Sequence, residues 1–201
     1  PNFELSEWKG FLIPNELSSW TGVKVDADTG RVSTLYLASN GLKGAFPEII
    51  CGLDQLKWLS LFGNDLEGEL PEALFQMENL EILELGNNHL TIRLPDSLEK
   101  MKSLKWVDLG HTKLVLGVGD TVTIGSEGDT TRYNKIEGGL PSSLGQLTSL
   151  EEFYIGDLGM EATIPDELWT LPNLKQVSLI SNAISGTISG VGAAKNLVRL
   201  S

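Results

Sequence analysis

"LKWLSLFGNDLEGELP", residues Leu56 to Pro71, decides how this chain folds. Read alone it holds leucines in an LxxLxL spacing, one asparagine, and a glycine ahead of a proline. It does not stand alone. "VSTLYLASNGLKGAFP" begins 24 residues before it at Val32, and "LEILELGNNHLTIRLP" begins 24 residues after it at Leu80. "LKWVDLGH" opens a further copy at Leu104, and "NKIEGGLP" resumes at Asn134. "LEEFYIGDLGMEATIP" follows from Leu150, "LKQVSLISNAISGTIS" from Leu174, and "LVRLS" from Leu197. A fixed period over this many copies marks a solenoid, in which each unit stacks on its neighbours.

The shared template is LxxLxLxxNxLxGxxP, and each position has a physical reason. Alternating leucines make a short strand with one buried face. One unit cannot bury that face alone, so stacked units share a continuous core and their strands align as a parallel sheet. Each Asn sits where the chain leaves its strand. Its amide can bond backbone groups of its own turn and of the next, which predicts a ladder of Asn40, Asn64, Asn88, Asn134 and Asn182. Leu158 occupies this position in the unit from Leu150, so the ladder weakens there. Gly44, Gly68, Gly138 and Gly186 relax the backbone ahead of the proline position. Segments after the prolines, such as "EALFQM" and "DELWTL", have short helical or 3-10 spacing and belong on the convex side.

The template resembles the leucine-rich repeat, in the plant-type subclass marked by LxGxxP. Polygalacturonase-inhibiting proteins and receptor-kinase ectodomains are similar. The resemblance implies a leucine-rich repeat solenoid of the α/β repeat class. It would be a right-handed superhelix with a concave parallel sheet and short convex helical or 3-10 segments. Residues 1–31 resemble the amino-terminal cap of that subclass. Trp20, Gly22, Val23 and Asp26 match its W-x-G-V-x-C-D motif, while Val25 replaces the cysteine, so the cap disulfide is absent. Trp8 and Trp20 are expected to cover the open end of the core, and Asp26 to Gly30 to form a tight turn between two strands. Residues 32–201 hold about seven units, the last incomplete, with Leu197 and Leu200 expecting a neighbour.

Composition narrows the partners. Acidic residues outnumber basic ones 27 to 15, for a net charge of -12. Such a chain repels nucleic-acid phosphates and anionic lipid, and attracts a basic protein surface; plain solubility explains the charge equally well. No apolar run approaches a membrane span. The only cysteine is Cys51, expected as a small apolar filler, and no Asn-x-Ser/Thr sequon occurs. With the missing cap disulfide, these absences lean towards an intracellular or organellar compartment.

The positions between the leucines point out of the concave sheet. The third position reads Thr34, Trp58, Ile82, Trp106, Glu152, Gln176 and Arg199, and the fifth Tyr36, Ser60, Glu84, Asp108, Tyr154 and Ser178. The seventh includes Phe62. Tryptophans with no core to fill suggest a binding face. Stacking among themselves, or packing under a neighbouring segment, remains the alternative. The partner-facing set is therefore Tyr36, Trp58, Phe62, Ile82, Glu84, Trp106, Asp108, His111, Glu152 and Tyr154. Glu84 and Asp108 fall side by side, where like charges disfavour each other. A slot for a partner Lys or Arg, a weak metal site and a solvated pair all fit.

No nucleophile with a base and an orienting group is evident, nor any H-E-x-x-H, phosphate loop or paired-cysteine spacing. No cofactor and no metal is expected, and no catalytic residue. The expected function is a protein- or peptide-binding module. The alternative is a structural subunit of a larger assembly, and a glycan-acting enzyme using Glu84 and Asp108 is remote.

One stretch leaves the period. The distance from Leu104 to Leu150 exceeds the regular 24 by 22 residues, which is the length of "TKLVLGVGDTVTIGSEGDTTRY" from Thr112 to Tyr133. It is a single insertion, 112–133, starting where a concave strand ends. Alternation around "GD" predicts a protruding hairpin carrying Lys113, Val115, Val118, Asp120, Val122 and Ile124. Certain receptor ectodomains of the resembling subclass carry an inserted island at their ligand site. A neutral surface insertion is the alternative.

Overall fold

The computed structural model describes residues 20–110 and 133–201, with the backbone of two short strands, 115–116 and 120–121, between them. Trp8, expected in the cap, lies outside the described residues.

The inner sheet has eight strands: β1 (Val23–Val25), β2 (Val32–Tyr36), β4 (Trp58–Ser60), β6 (Ile82–Glu84), β8 (Trp106–Asp108), β12 (Glu152–Tyr154), β14 (Gln176–Ser178) and β16 (Arg199–Leu200). They are paired in that order. β1 runs antiparallel to β2 and every later pair is parallel. The Asp26–Gly30 turn joins β1 to β2 as the sequence implies. The Asp26 carboxylate accepts the backbone N–H of Asp28 and Thr29 and the Thr29 hydroxyl. Those bonds hold its carboxyl below the usual range.

Behind the sheet, Leu35, Leu59, Leu83, Val107, Phe153 and Val177 form one spine, each less than a twentieth exposed. Leu61, Leu85, Leu109 and Ile155 form the next. The asparagine ladder closes this core at the strand ends. Asn64 Oδ1 accepts the N–H of Asn40 and Leu42, while its Nδ2 donates to the carbonyls of Leu37 and Leu61. Asn88, Asn134 and Asn182 repeat the pattern one unit on. Asn134 does so across the insertion, donating to the Leu109 carbonyl. Leu158 is buried and supplies no such amide.

The LxGxxP segments do more than turn. β3 (Lys43–Ala45), β5 (Asp65–Glu69), β7 (His89–Ile92) and β11 (Lys135–Ile136) pair as a second parallel sheet, and β13 (Glu161–Thr163) pairs with β15 (Ala183–Ser185). In β3 and β5 the template glycine, Gly44 or Gly68, lies inside the strand. Gly68 has φ +82°, and a Cβ there would meet nothing within 4 Å, so backbone conformation alone demands glycine.

The convex side also differs from expectation in one unit. 3-10 turns occupy Glu48–Gly52, Glu72–Gln76, Ser142–Gln146 and Ser189–Ala193, with one helical turn, α1, at Asp166–Trp169. After Pro95 there is none. In its neighbours the first turn closes through bonds such as Leu74 N–H to the Pro71 carbonyl at 3.1 Å. Leu98 N–H instead donates to Gln146 Oε1 at 2.7 Å, and the Pro95 carbonyl accepts the Ser143 hydroxyl at 2.8 Å. The next unit's side chains have taken both partners.

Two further ladders tie the units. Asn79, Asn173 and Asn196 each donate to a carbonyl of the preceding unit, those of Asp54, Thr148 and Pro172. At the position after the first template leucine, charges alternate as Lys57, Glu81, Lys105, Glu151 and Lys175. Lys105 meets Glu81 at 2.6 Å and Lys175 meets Glu151 at 2.5 Å. These pairs are solvated, so each contributes under about 1 kcal/mol. In the insertion, the backbone of β9 (Val115–Leu116) pairs antiparallel with that of β10 (Asp120–Thr121).

Candidate ligand-binding face

Register places the outward rows as the template implies. Thr34, Trp58, Ile82, Trp106, Glu152, Gln176 and Arg199 are consecutive partners across the inner sheet. Tyr36, Ser60, Glu84, Asp108, Tyr154 and Ser178 form the adjacent row in the same pairings. Neighbouring members are about 4.8 Å apart.

The aromatic side chains form two groups, each tied to a carboxylate. Tyr36 meets Trp58 edge-on, with ring centroids 5.6 Å apart, and Trp58 Nε1 donates to Glu84 Oε2 at 3.0 Å. Trp106 lies against Tyr154 at 5.1 Å and 41°, and the Tyr154 hydroxyl donates to Glu152. Burial pushes the Tyr154 phenol well above its ordinary range. The hydrogen bond to Glu152 and the negative charges of Glu152 and Asp108 add to the shift, which Arg199 opposes. Tyr154 therefore stays a neutral donor.

Several side chains are less open than the rows alone imply. Phe62 is 6% exposed: it lies over Gly86, where a Cβ would come within 2.9 Å of its ring and 2.3 Å of the Gly110 carbonyl oxygen. It lines the floor at the strand ends and does not widen the aromatic row. Asp108 is 1% exposed, with Oδ1 accepting the Gly110 N–H, and Tyr154 is 6% exposed. Trp58, Ile82, Glu84, Trp106 and Glu152 are half-buried, and Tyr36 is open. Ser60 is fully buried with its hydroxyl unpartnered, and the Trp106 indole N–H is buried without a partner as well. Sequence alone gives no reason to single out Ser60, because its burial depends on where the neighbouring rings turn. His111, Lys113, Val118, Val122 and Ile124 lie outside the described residues, as do the side chains of Val115 and Asp120.

Cys51 is half-buried against the core, away from this face, and burial followed by the Glu48 charge pushes its thiol up to about 11. Among the described residues, no helix is long and apolar enough to cross a membrane, and no group of three His, Cys, Asp or Glu is placed to hold a metal ion.

Leucine rich repeat family models match residues 68–114 and 55–77. None of the curated proteins matches the chain. Solved structures do. The Arabidopsis receptor kinase HAESA, in complex with the peptide hormone IDA and the co-receptor SERK1, is 28% identical with a TM-score of 0.75 over 98% of this chain and 30% of that one. The LRR ectodomain of the Arabidopsis thaliana membrane receptor kinase GASSHO1/SCHENGEN3, in complex with Casparian strip integrity factor 2, is 26% identical with a TM-score of 0.71 over 100% of this chain and 25% of that one. The LRR ectodomain of the Arabidopsis thaliana receptor kinase SOBIR1 shares the fold at 24% identity and a TM-score of 0.62, over 86% of this chain and 89% of that one. The chain thus spans less than a third of HAESA and of GASSHO1/SCHENGEN3.

These neighbours correct the expected compartment. They are receptor ectodomains, which points to an extracellular placement rather than an intracellular or organellar one. The missing sequons and cap cysteine misled for a physical reason. A solenoid held by a leucine core and asparagine ladders needs no disulfide to stay folded, so the missing cap cysteine carries little information about compartment. Period, ladder, second sheet and family models agree: the chain is a leucine-rich repeat solenoid whose units carry the plant-type LxGxxP template.

Proposed function

We propose that this chain is a ligand-binding leucine-rich repeat module. Its inner-sheet rows recognise a peptide or an extended segment of another protein with a basic surface. The observation that carries the reading is the continuous outward row of Trp58, Ile82 and Trp106 with Glu84 and Glu152 at its margins. These side chains have no core to fill and remain half-exposed. Large amphipathic side chains beside carboxylates give affinity through area and orientation through charge. Structures similar to this chain are complexes with a peptide hormone, which supports the ligand class. The insertion leaves from the end of β8, beside this face, and belongs to the same surface in this reading.

The module is proposed to be non-catalytic. Glu84 is engaged by the Trp58 indole, and Asp108 is buried against the Gly110 amide, so the two are not poised as an acid–base pair. Any hydrolysis of a glycan or peptide lost on Glu84→Gln or Asp108→Asn would revive the enzymatic alternative. The test of the binding reading is selection of a displayed random-peptide library on the immobilised chain. Selected peptides should lose at least tenfold in affinity when Trp58 and Trp106 are both replaced by Ala with the circular dichroism unchanged. Equal affinity for the doubly substituted chain would rule this face out.

A further inference from the structure

We propose that Trp106 is the seat of one arginine side chain of the ligand, stacked on the indole and held between Glu84 and Glu152. This rests on the inner-face reading above and names the group that anchors the ligand. Trp106 has Ile82 and Glu152 as its in-register neighbours. Glu84 and Tyr154 flank Asp108 on either side, and so stand diagonal to Trp106. Diagonal neighbours on adjacent strands are about 7 Å apart, so the Glu84 carboxylate can lean towards the ring from one side and the in-register Glu152 from the other. The two glutamates thus bracket one indole ring.

Neither Glu84 nor Glu152 has a basic partner among the described residues. Each gives Oε2 to an aromatic donor, Trp58 Nε1 or the Tyr154 hydroxyl, which fixes the carboxylate and leaves its other oxygen to accept. Two polar groups on the same face lack partners. Ser60, fully buried and in register with Glu84, has an unbonded hydroxyl, and Trp106 Nε1–H is buried and undonated. Buried polar groups without partners are rare, because each costs free energy until something satisfies it. Both atoms are closed off, and Ser60 lies on β4, two strands from Trp106, so the seat itself is the half-exposed indole face and the two glutamates. Arginine fits better than lysine. Its planar guanidinium stacks on an indole and donates in two directions at once, whereas an ammonium is a compact and more strongly hydrated charge.

The experiment follows the indole N–H resonances of the whole nitrogen-15-labelled chain during titration with N-acetyl-argininamide, N-acetyl-lysinamide and the uncharged isostere N-acetyl-citrullinamide. The Trp106 resonance is assigned by its absence in Trp106→Phe. The argininamide should shift it saturably and bind at least fivefold more tightly than the other two. Glu84→Gln, and separately Glu152→Gln, should each weaken that binding at least threefold, so either variant serves if the other fails to fold. Equal binding of the citrullinamide would overturn the arginine seat while leaving the inner face a binding surface. Tighter binding of the lysinamide would overturn the stacking argument. No shift with any of the three overturns the seat, and the peptide selection described above then decides the face independently.

Discussion

Asn64 joins five backbone groups from two units, and its burial is complete. Removing its amide strands the Asn40 and Leu42 N–H groups and the Leu37 carbonyl at the lid of the core, while the Leu61 carbonyl keeps the Asn88 amide. An unsatisfied buried group costs about 1–3 kcal/mol. Relaxation and water recover part of that sum, so Asn64→Ala should lose about 3 kcal/mol in urea denaturation, with little change in slope. A loss under about 1 kcal/mol would mean that the ladder is ornamental to stability. Cys51 makes a second prediction at this scale. Its thiol is raised from an ordinary 9.0 to about 11 in the folded chain, chiefly by burial. A raised folded value favours the neutral form, so this contribution is complete below about pH 9 and fades as pH rises through about 11. Reaction with a soluble disulfide reagent should be slow at pH 8 and climb steeply only above pH 10, roughly two units later than for a free thiol.

The strands and the main asparagine ladder were legible in the sequence because one period repeats the same burial demand in every unit. Trp58, Ile82 and Trp106 fall in register for that reason alone. The second sheet was not legible. Its strands carry few alternating apolar residues, and the glycine within β3 and β5 reads as a breaker rather than a strand residue until its φ is known. Phe62 was misread because its position is set by a missing side chain in the next unit, at Gly86, and not by its own strand. The lost convex turn after Pro95 likewise depends on Gln146 and Ser143, almost 50 residues away. The junction after β11 shows what these elements imply together. The ladder lacks its amide at Leu158, and β11 does not pair with β13, so two of the ties between units fail at one place. Leu66 and Leu90 N–H groups bond the next unit's Asn Oδ1, and Ile136, at the equivalent position, has Leu158 opposite it. Amide hydrogen exchange should therefore be at least tenfold faster at Ile136 than at Leu66 or Leu90, under conditions where exchange proceeds by local opening. Comparable protection at all three would show that the core alone holds this junction shut.

Across the whole molecule, the inner sheet runs past the insertion without a break. Leu85 N–H donates to the Asp108 carbonyl before it, and Leu109 N–H donates to the Tyr154 carbonyl across it. Asn134 then reaches back to the Leu109 and Leu85 carbonyls, so the last bond before the departure and the first after the return belong to one ladder step. The bonds that join the two flanking units are made by Leu109, Asn134 and Tyr154. Joining His111 directly to Asn134 restores the regular period of 24 residues. Loop length costs little entropy, so shortening the connection gains at most about 1–2 kcal/mol, and the melting temperature should change by only a few degrees. Ligand binding should behave otherwise if the face and the insertion form one surface. Peptides selected on the full chain should lose at least tenfold in affinity for the shortened chain, while N-acetyl-argininamide, which needs only Trp106 and its two glutamates, should bind as before. Loss of both with an intact fold would mean that the insertion shapes the arginine seat itself. Retention of full peptide affinity would reduce the insertion to a neutral surface loop.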